Sequence, residues 1–490
     1  MADLERGVPN SPDTVFEAGS VAKQFTAAAV LLLAREGKLS LDDPVRTYLP
    51  ELPDYGRPLT IRHMLTHTSG LRDWGAVVAL TGWPRGSRAY TQAHVLEIAA
   101  RQRRLNFPPG SRWSYTNTGY NLAALIVERV SGTSFDAFTR TRIFEPLGMT
   151  RTSWRSDYTR LVPNRAIAYA RQPDGFHIAM PFENALGNGG LLTTVSDLLK
   201  WNRNFSTPVV GDASFVAEAQ QPGRLDDGRP HAYAMGLAVG TYLSVREIGH
   251  DGATGGYTAD LIRFPDQGVS VAVLCNAATA IAPQYAHQAA DLYLTGTVRS
   301  ESIPKPTHVL TRAESASIVG LYRSALTSMP ATVLTEGNEL RAEVRGVGVP
   351  LIPLSASRFT TPFGLSWLFE SAGHARMLES NGLPEDYQRV APWKPTAAEL
   401  RTLVGLYVSD EAEASFRVEG DVNGVLVMIR RPGARFILTP VYADAFSNQD
   451  LGLVVFRRDS ASRVTALSIC QERLWDMRFG RVKTAPDSRR

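Results

Sequence analysis

The chain has 490 residues, 44% of them hydrophobic, a formal net charge of +4 and a pI near 9.0. This is the make-up of a globular protein of two to four domains; the basic residues are scattered apart from Arg101-Gln102-Arg103-Arg104 and Arg489-Arg490, which argues against nucleic acid as a partner. No apolar run reaches the roughly 20 residues of a membrane-spanning helix, the two cysteines Cys275 and Cys470 imply no disulfide framework, and no signal peptide is read, so the compartment stays open.

The first element is an apolar helical pattern from Ser20 to Arg35, with Gly37 as its stop. Its opening, Ser20-Val21-Ala22-Lys23, sets a hydroxyl and an ammonium three residues apart, hence on one helix face. Serine is a poor nucleophile until a base takes its proton; a lysine beside it can serve, or can tune a third group that does. The helix N-terminus adds positive potential and free N–H groups suited to a developing oxyanion. The plain alternative is a helix-start serine. The composition speaks for more: with 6 lysines against 46 arginines, a cation at position 23 would by default be Arg. Lysine is the basic residue that can lose its proton at reachable cost. A second match, Ser302-Ile303-Pro304-Lys305, reads as linker, because Pro304 removes a donor and disfavours helix at Ile303.

Thr60 is placed to cap a short helix, Ile61–Leu65, followed by the polar loop Thr66-His67-Thr68-Ser69-Gly70. Tyr115-Thr116-Asn117 is the only Tyr-x-Asn; it stands just before an amphipathic helix, Asn117 to Ser131, closed by Gly132. A phenolate is a strong base once its pKa falls from about 10 toward neutrality, which takes roughly 4 kcal/mol. One ammonium at about 4 Å and an effective dielectric of about 20 supplies a similar amount. Lys23 could therefore activate Tyr115; the alternative is an ordinary loop tyrosine. A third helix runs from Thr194 to Phe205.

The period then changes. Tyr242–Ile248, Tyr257–Phe264 and Gly268–Asn276 read as three strands, the last two joined through Pro265-Asp266-Gln267. His250-Asp251-Gly252, the only His-x-Gly, follows the first of them and precedes Ala253-Thr254-Gly255-Gly256. Small residues there let a substrate backbone lie along the strand edge; the alternative is a glycine-rich turn with a surface histidine. Ile281–Leu294 returns to helix. Helices around an antiparallel sheet make this an α+β domain, ending near residue 300.

Beyond Pro304 an internal repeat appears. Ile318-Val319-Gly320-Leu321-Tyr322 recurs as Leu403-Val404-Gly405-Leu406-Tyr407, Leu351-x-Pro353 with Phe359 as Leu438-x-Pro440 with Phe446, and Tyr387-Gln388-Arg389-Val390 as Phe479-Gly480-Arg481-Val482. The offsets are 85, 87 and 92 residues, in consistent order. The expected organisation is an α+β domain over 1–301 followed by two small antiparallel β-barrels, 308–390 and 397–484, with proline-bearing linkers Ser302–Thr307 and Ala391–Thr396.

In this order and context the three polar motifs resemble the serine β-lactamase and penicillin-binding-protein superfamily, whose nucleophile stands in a Ser-x-x-Lys motif. The closer likeness is to its branch of class C β-lactamases, D-alanyl-D-alanine carboxypeptidases, esterases and D-aminopeptidases. The resemblance covers about residues 1–300 and extends to Pro12-Asp13-Thr14-Val15-Phe16, Leu65-Thr66-His67-Thr68-Ser69-Gly70-Leu71, Phe144-Glu145-Pro146-Leu147-Gly148-Met149 and Gly187-Asn188-Gly189-Gly190-Leu191. It implies Ser20 as acylated nucleophile, with Lys23 assisting proton transfer and Tyr115 as general base and then acid. Asn117 would bind the substrate's acyl-side amide, His250 would hold the third-motif position, and Gly252 and Ala253 would line the cleft. The oxyanion hole would be the backbone N–H groups of Ser20 and Ala253. No cofactor is implied. His63 and His67 have the i, i+4 spacing of metal ligands, but in this family the segment is structural and no metal is expected. There is no Lys-Thr-Gly and no Glu-x-x-Leu-Asn segment, so efficient β-lactam hydrolysis is not expected.

The tandem barrels resemble those of D-aminopeptidases, making that activity the leading expectation. An esterase, a D-alanyl-D-alanine carboxypeptidase, or a penicillin-recognising protein with negligible turnover stay open. The partner is expected to be a small molecule or short peptide. Relatives also begin with a helix and a hairpin ahead of the nucleophile helix, whereas only 19 residues precede Ser20 here. Met1 then reads as internal, the catalytic sheet as three-stranded with an open edge at Gly268–Asn276, and self-association or poor stability as the expected consequence.

Overall fold

The computed structural model describes all residues except 295–303, 338, 345, 363, 371–372, 379–382, 421–424 and 484–490. Ser302, Ile303 and the start of the first linker therefore lie outside the described residues. The chain divides into two compact units, Met1–Gly75 with Arg85–Glu301, and Ala76–Pro84 with Ser302–Arg490. Among the described residues no helix is long and apolar enough to cross a membrane.

The first unit is built around the helix Lys23–Arg35, buried along its length from Lys23 to Leu33. Such all-round burial follows from its Ala, Val and Leu content. The helix starts three residues later than the periodicity predicts: Gly19–Ala22 forms a 3₁₀ turn, and Ser20 stands in that turn. The helix Thr118–Ser131 packs in the same core and ends on Gly132 with φ +70°, a left-handed conformation that glycine adopts without penalty. Thr60 caps Ile61–Leu65 as read, and Thr194 caps Val195–Asn204.

The main sheet has four antiparallel strands, not three, in the order Ala238–Tyr242, Val245–Thr254, Tyr257–Phe264, Val269–Cys275. The strand read as Tyr242–Ile248 is in fact a hairpin. Leu243 (φ +48°) and Ser244 (φ +68°) make its two-residue turn, and neither is the Asn or Gly that usually signals one. His250 does not follow a strand but lies within one, paired with Leu261. Among the described residues this unit also holds a three-stranded sheet, Phe16–Glu17, Leu191–Thr193 and Ser153–Trp154, and a hairpin of Tyr169–Gln172 with Gly175–Ile178.

The second unit holds two closed eight-stranded barrels, from Gly320–Ser324 to Pro384–Val390 and from Gly405–Ser409 to Leu474–Arg481. The repeat extends to atomic detail. Thr311 with Glu314, and Thr396 with Glu399, close matching capping boxes. Tyr322 and Tyr407 each donate from Oη to a carbonyl four residues earlier, at 2.7 Å.

Just ahead of the Ser20 turn, Glu17 is buried at 1% exposure and receives both Nε and Nη2 of Arg155, itself 3% exposed, at 2.7 and 3.0 Å. Breaking a buried pair leaves an uncompensated charge. Glu17→Gln is expected to cost about 3–5 kcal/mol, read as a shift of the first unit's transition in urea unfolding; an unchanged midpoint would show that the pair adds nothing.

Candidate active site

Lys23 is fully buried, and its ammonium donates to Ser20 Oγ at 2.9 Å, Asn117 Oδ1 at 2.9 Å and the Asn188 carbonyl at 2.8 Å. The first acceptor comes from the helix's own leading turn, as the three-residue spacing requires. The second comes from the residue before the helix Thr118–Ser131, whose backbone N–H donates to Asp73 Oδ2 at 2.8 Å. The third lies in the loop Gly187-Asn188-Gly189-Gly190. A methyl at Gly187 would stand 2.5 Å from the Tyr120 carbonyl, so the loop meets that helix with no side chain between. Asn188 is fixed in turn by Asn121 Nδ2, which donates to its Oδ1 at 2.7 Å. The Tyr115 ring centroid is 4.9 Å from Lys23 Nζ and 6.1 Å from the His250 ring.

The strand Val245–Thr254 approaches the Ser20 turn more closely than side chains would permit. A methyl at Gly252 would fall 2.1 Å from the Ala18 carbonyl and 2.9 Å from Ser20 N. One at Gly19, where φ is +53°, would fall 2.6 Å from Ala253 N. The N–H groups of Ser20 and Ala253 thus belong to one small patch of main chain. The neighbouring strand pairs only as far as Ala238 opposite Gly249, so from His250 onward it leaves this edge of Val245–Thr254 to the turn.

His250 is 6% exposed. Its Nδ1 donates to the Asp251 carbonyl at 2.6 Å, and its Nε2 stands 2.9 Å from Tyr233 Oη, from which it accepts when the ring is neutral. Burial, and next the Lys23 charge, push its pKa down to about 4. Behind the strand, Asp260 opposite Asp251 is pushed up to about 7, by burial first and then by Asp251 and Glu247.

All the residues singled out in the sequence, Ser20, Lys23, Tyr115, Asn117, His250, Gly252 and Ala253, meet in this one region. Sequence reasoning missed Asn188 as a Lys23 acceptor, Asn121, Asp73 and Tyr233. Only Asn188 carried a signal, its glycine-rich surroundings. His63 and His67 do not act as a pair: His63 Nδ1 accepts the Thr60 N–H at 3.2 Å in the capping box, and His67 Nδ1 accepts the Thr116 N–H at 3.3 Å.

The family model described as Beta-lactamase matches residues 1–294. Among curated proteins, the chain is 29% identical to Penicillin-binding protein 4* of Bacillus subtilis (strain 168) over 381 residues, 73% of this chain and 83% of that protein. It is 30% identical to a D-aminopeptidase of Gluconobacter oxydans over 277 residues, 56% of this chain and 52% of that protein, so it spans about half the length of that relative. Among solved structures, the D-amino acid amidase from Ochrobactrum anthropi SV3 complexed with L-phenylalanine amide superposes with a TM-score of 0.52 at 25% identity, covering 60% of this chain and 86% of that one.

The ring of His250 supports a first titration. With its pKa near 4 in place of 6.5, NMR of the ring is expected to show no protonation between pH 8 and pH 5.5; titration near 6.5 would contradict the burial argument. In the unfolded chain the same ring gains its proton around 6.5, so its stabilising contribution is present above that pH and lost as pH falls toward 4. Asp260 acts oppositely: its contribution is present below 3.8 and lost as pH rises through about 7.

Proposed function

Because the chain belongs to the Beta-lactamase family and is a serine hydrolase of the β-lactamase and penicillin-binding-protein kind, we propose that it is a D-aminopeptidase working through an acyl-enzyme on Ser20. The observation that carries the reading is Lys23 Nζ, itself fully buried, at 2.9 Å from the half-buried Ser20 Oγ. The ammonium donates to Oγ, so the serine proton is left for another base. Tyr115 fills that role: Lys23 Nζ lies over its ring at 4.9 Å from the centroid, and a nearby ammonium favours the phenolate. Oγ attacks the substrate carbonyl, Tyr115 takes the proton, and the oxyanion faces the N–H groups of Ser20 and Ala253. Tyr115 then returns the proton to the leaving amine, and water repeats the sequence in reverse to free the acid and Ser20. Asn117 is left to orient the substrate amide.

The neutral His250 favours this reading over a carboxypeptidase. The third-motif position carries no fixed positive charge for a substrate carboxylate, which suits a substrate whose far side is an uncharged amide or ester. The relatives named D-aminopeptidase and D-amino acid amidase point the same way. The domain boundaries proposed with it are 1–301, 308–390 and 397–484.

Chromogenic D- and L-aminoacyl amides, short esters and a β-lactam form the test panel. Turnover of D-aminoacyl amides is expected, together with a mass adduct on Ser20 that clears. An adduct from the β-lactam that persists without turnover of any amide would favour a penicillin-binding protein. Ser20→Ala should abolish both turnover and labelling; labelling that survives would sink the assignment. Tyr115→Phe is expected to lower kcat by on the order of 10²–10⁴, the span of general acid–base loss, and a near wild-type kcat would reject Tyr115 as the base.

A further inference from the structure

We propose that His67 is the positioning residue for Tyr115, an inference that rests on the reading of Tyr115 as the base. The loop after the helix Ile61–Leu65 is tied to the segment before Tyr115 by successive main-chain hydrogen bonds. Gly70 O accepts from Asn106 N at 2.7 Å, Thr68 O from Gly110 N at 2.8 Å, and His67 O from Ser114 N at 2.9 Å. The ladder then passes to a side chain: His67 Nδ1 accepts the N–H of Thr116 at 3.3 Å. Both residues that flank Tyr115 therefore hang on His67, one from its carbonyl and one from its ring.

The ring also forms a wall for the tyrosine. Its centroid is 4.2 Å from that of Tyr115, with 39° between the planes. On its other sides stand Tyr233 at 4.5 Å, Tyr120 at 5.3 Å and Trp113 at 6.1 Å. His67 is 0% exposed, so the wall is rigidly packed. An Nδ1 that accepts a backbone N–H carries no proton, which makes this a neutral ring with its proton on Nε2. The residue holds φ +58° to do this. Outside glycine that left-handed conformation is uncommon, though histidine adopts it more readily than most side chains, and it persists where the surroundings over-determine it. Here the ladder of main-chain bonds does so. The imidazole meets Tyr233 as well, whose Oη donates to His250 Nε2. One buried ring thus packs against both Tyr115 and the tyrosine that meets His250.

A residue of this kind acts through Tyr115 and makes no contact with substrate. Its loss should therefore move kcat and leave KM nearly alone, and an acceptor at the Nδ1 position should restore what an apolar side chain cannot. Asn is that variant: its Oδ1 stands near the Nδ1 position, and it tolerates positive φ. Leu has comparable bulk but no acceptor, and Gln places its polar atoms too far out.

The test uses the full chain, a D-aminoacyl amide for turnover and an activated D-aminoacyl ester for the rate of Ser20 acylation by intact mass. H67L and H67Q are expected to lose about 10²-fold in kcat and in acylation rate, the penalty of an ångström-scale misplacement, with KM within about threefold. H67N is expected to stay within about fivefold of wild type. Wild-type acylation in H67L or H67Q, or a loss in H67N as deep as theirs, overturns the proposal. H67Q and H67N carry the comparison if H67L does not fold. Tyr115→Phe run alongside separates the two ideas: a Tyr115→Phe enzyme at wild-type rate removes the base and His67's role with it, whereas a crippled Tyr115→Phe beside an intact H67L removes His67 alone.

Discussion

The first unit depends on one buried charge. Lys23 has no exposure to water, and an ammonium withdrawn from water costs several kcal/mol unless hydrogen-bond acceptors replace the lost solvent. Three do so: Ser20 Oγ, Asn117 Oδ1 and the Asn188 carbonyl. They come from three parts of the chain, so satisfying one side chain brings the Ser20 turn, the start of the helix Thr118–Ser131 and the loop Gly187–Gly190 to a single point. The nucleophile candidate is held in register by the group that would tune the chemistry.

Each of those acceptors is itself held. Asn117 is anchored through its N–H on Asp73, and Asn188 through Asn121, which also donates to the Leu186 carbonyl at 2.7 Å. Thr26, one turn along from Lys23, donates to the Gly187 carbonyl at 2.8 Å and fastens the other end of the glycine loop. In a low-dielectric interior such a network is costly when incomplete and specific when complete. This explains why polar residues so far apart in sequence sit fully buried beside an otherwise apolar helix.

How much of this was legible follows from which signals are local. The helices Lys23–Arg35, Ile61–Leu65, Thr118–Ser131 and Val195–Asn204 were, because their apolar period and caps lie within a few residues, whereas Gln92–Arg101 went unread despite its Thr91 cap; the barrels were, because three short motifs recur in the same order. Ser20 and Lys23 stood out through spacing and through the rarity of lysine. The hairpin at Leu243-Ser244 was not legible, since its two left-handed residues are of ordinary type, and two strands merged into one. His250 was placed after a strand read as ending at Ile248, with a glycine-rich turn as the alternative. Instead Gly252 lets the strand run on past the Ala18 carbonyl and Ser20 N. Asp73, Asn121 and Tyr233 have no local pattern, as their meaning is a contact that only the fold creates. His67 was visible only through its i, i+4 spacing with His63, set aside as a metal pattern, and nothing local announces the Thr116 N–H that its ring accepts.

The alternation of one strand sorts the site's electrostatics. Along Val245–Thr254 successive residues alternate between two faces, yet the sorting is incomplete: the exposed Asp251 carboxylate reaches within 3.7 Å of His250 Nδ1 and opposes the lowering of its pKa. On the front face Lys23 is the cation, and its charge together with burial keeps His250 unprotonated down to about 4. Tyr233 fixes the result by donating to Nε2, which leaves the ring's own proton on Nδ1, committed to the Asp251 carbonyl. On the back face Asp251 and Glu247 raise the buried Asp260 toward neutral pH, so that acid is partly protonated where the histidine is not. A histidine at this position is therefore a shaped, neutral surface with both nitrogens in use, and it leaves Lys23 as the charge that can bias proton transfer between Ser20 and Tyr115.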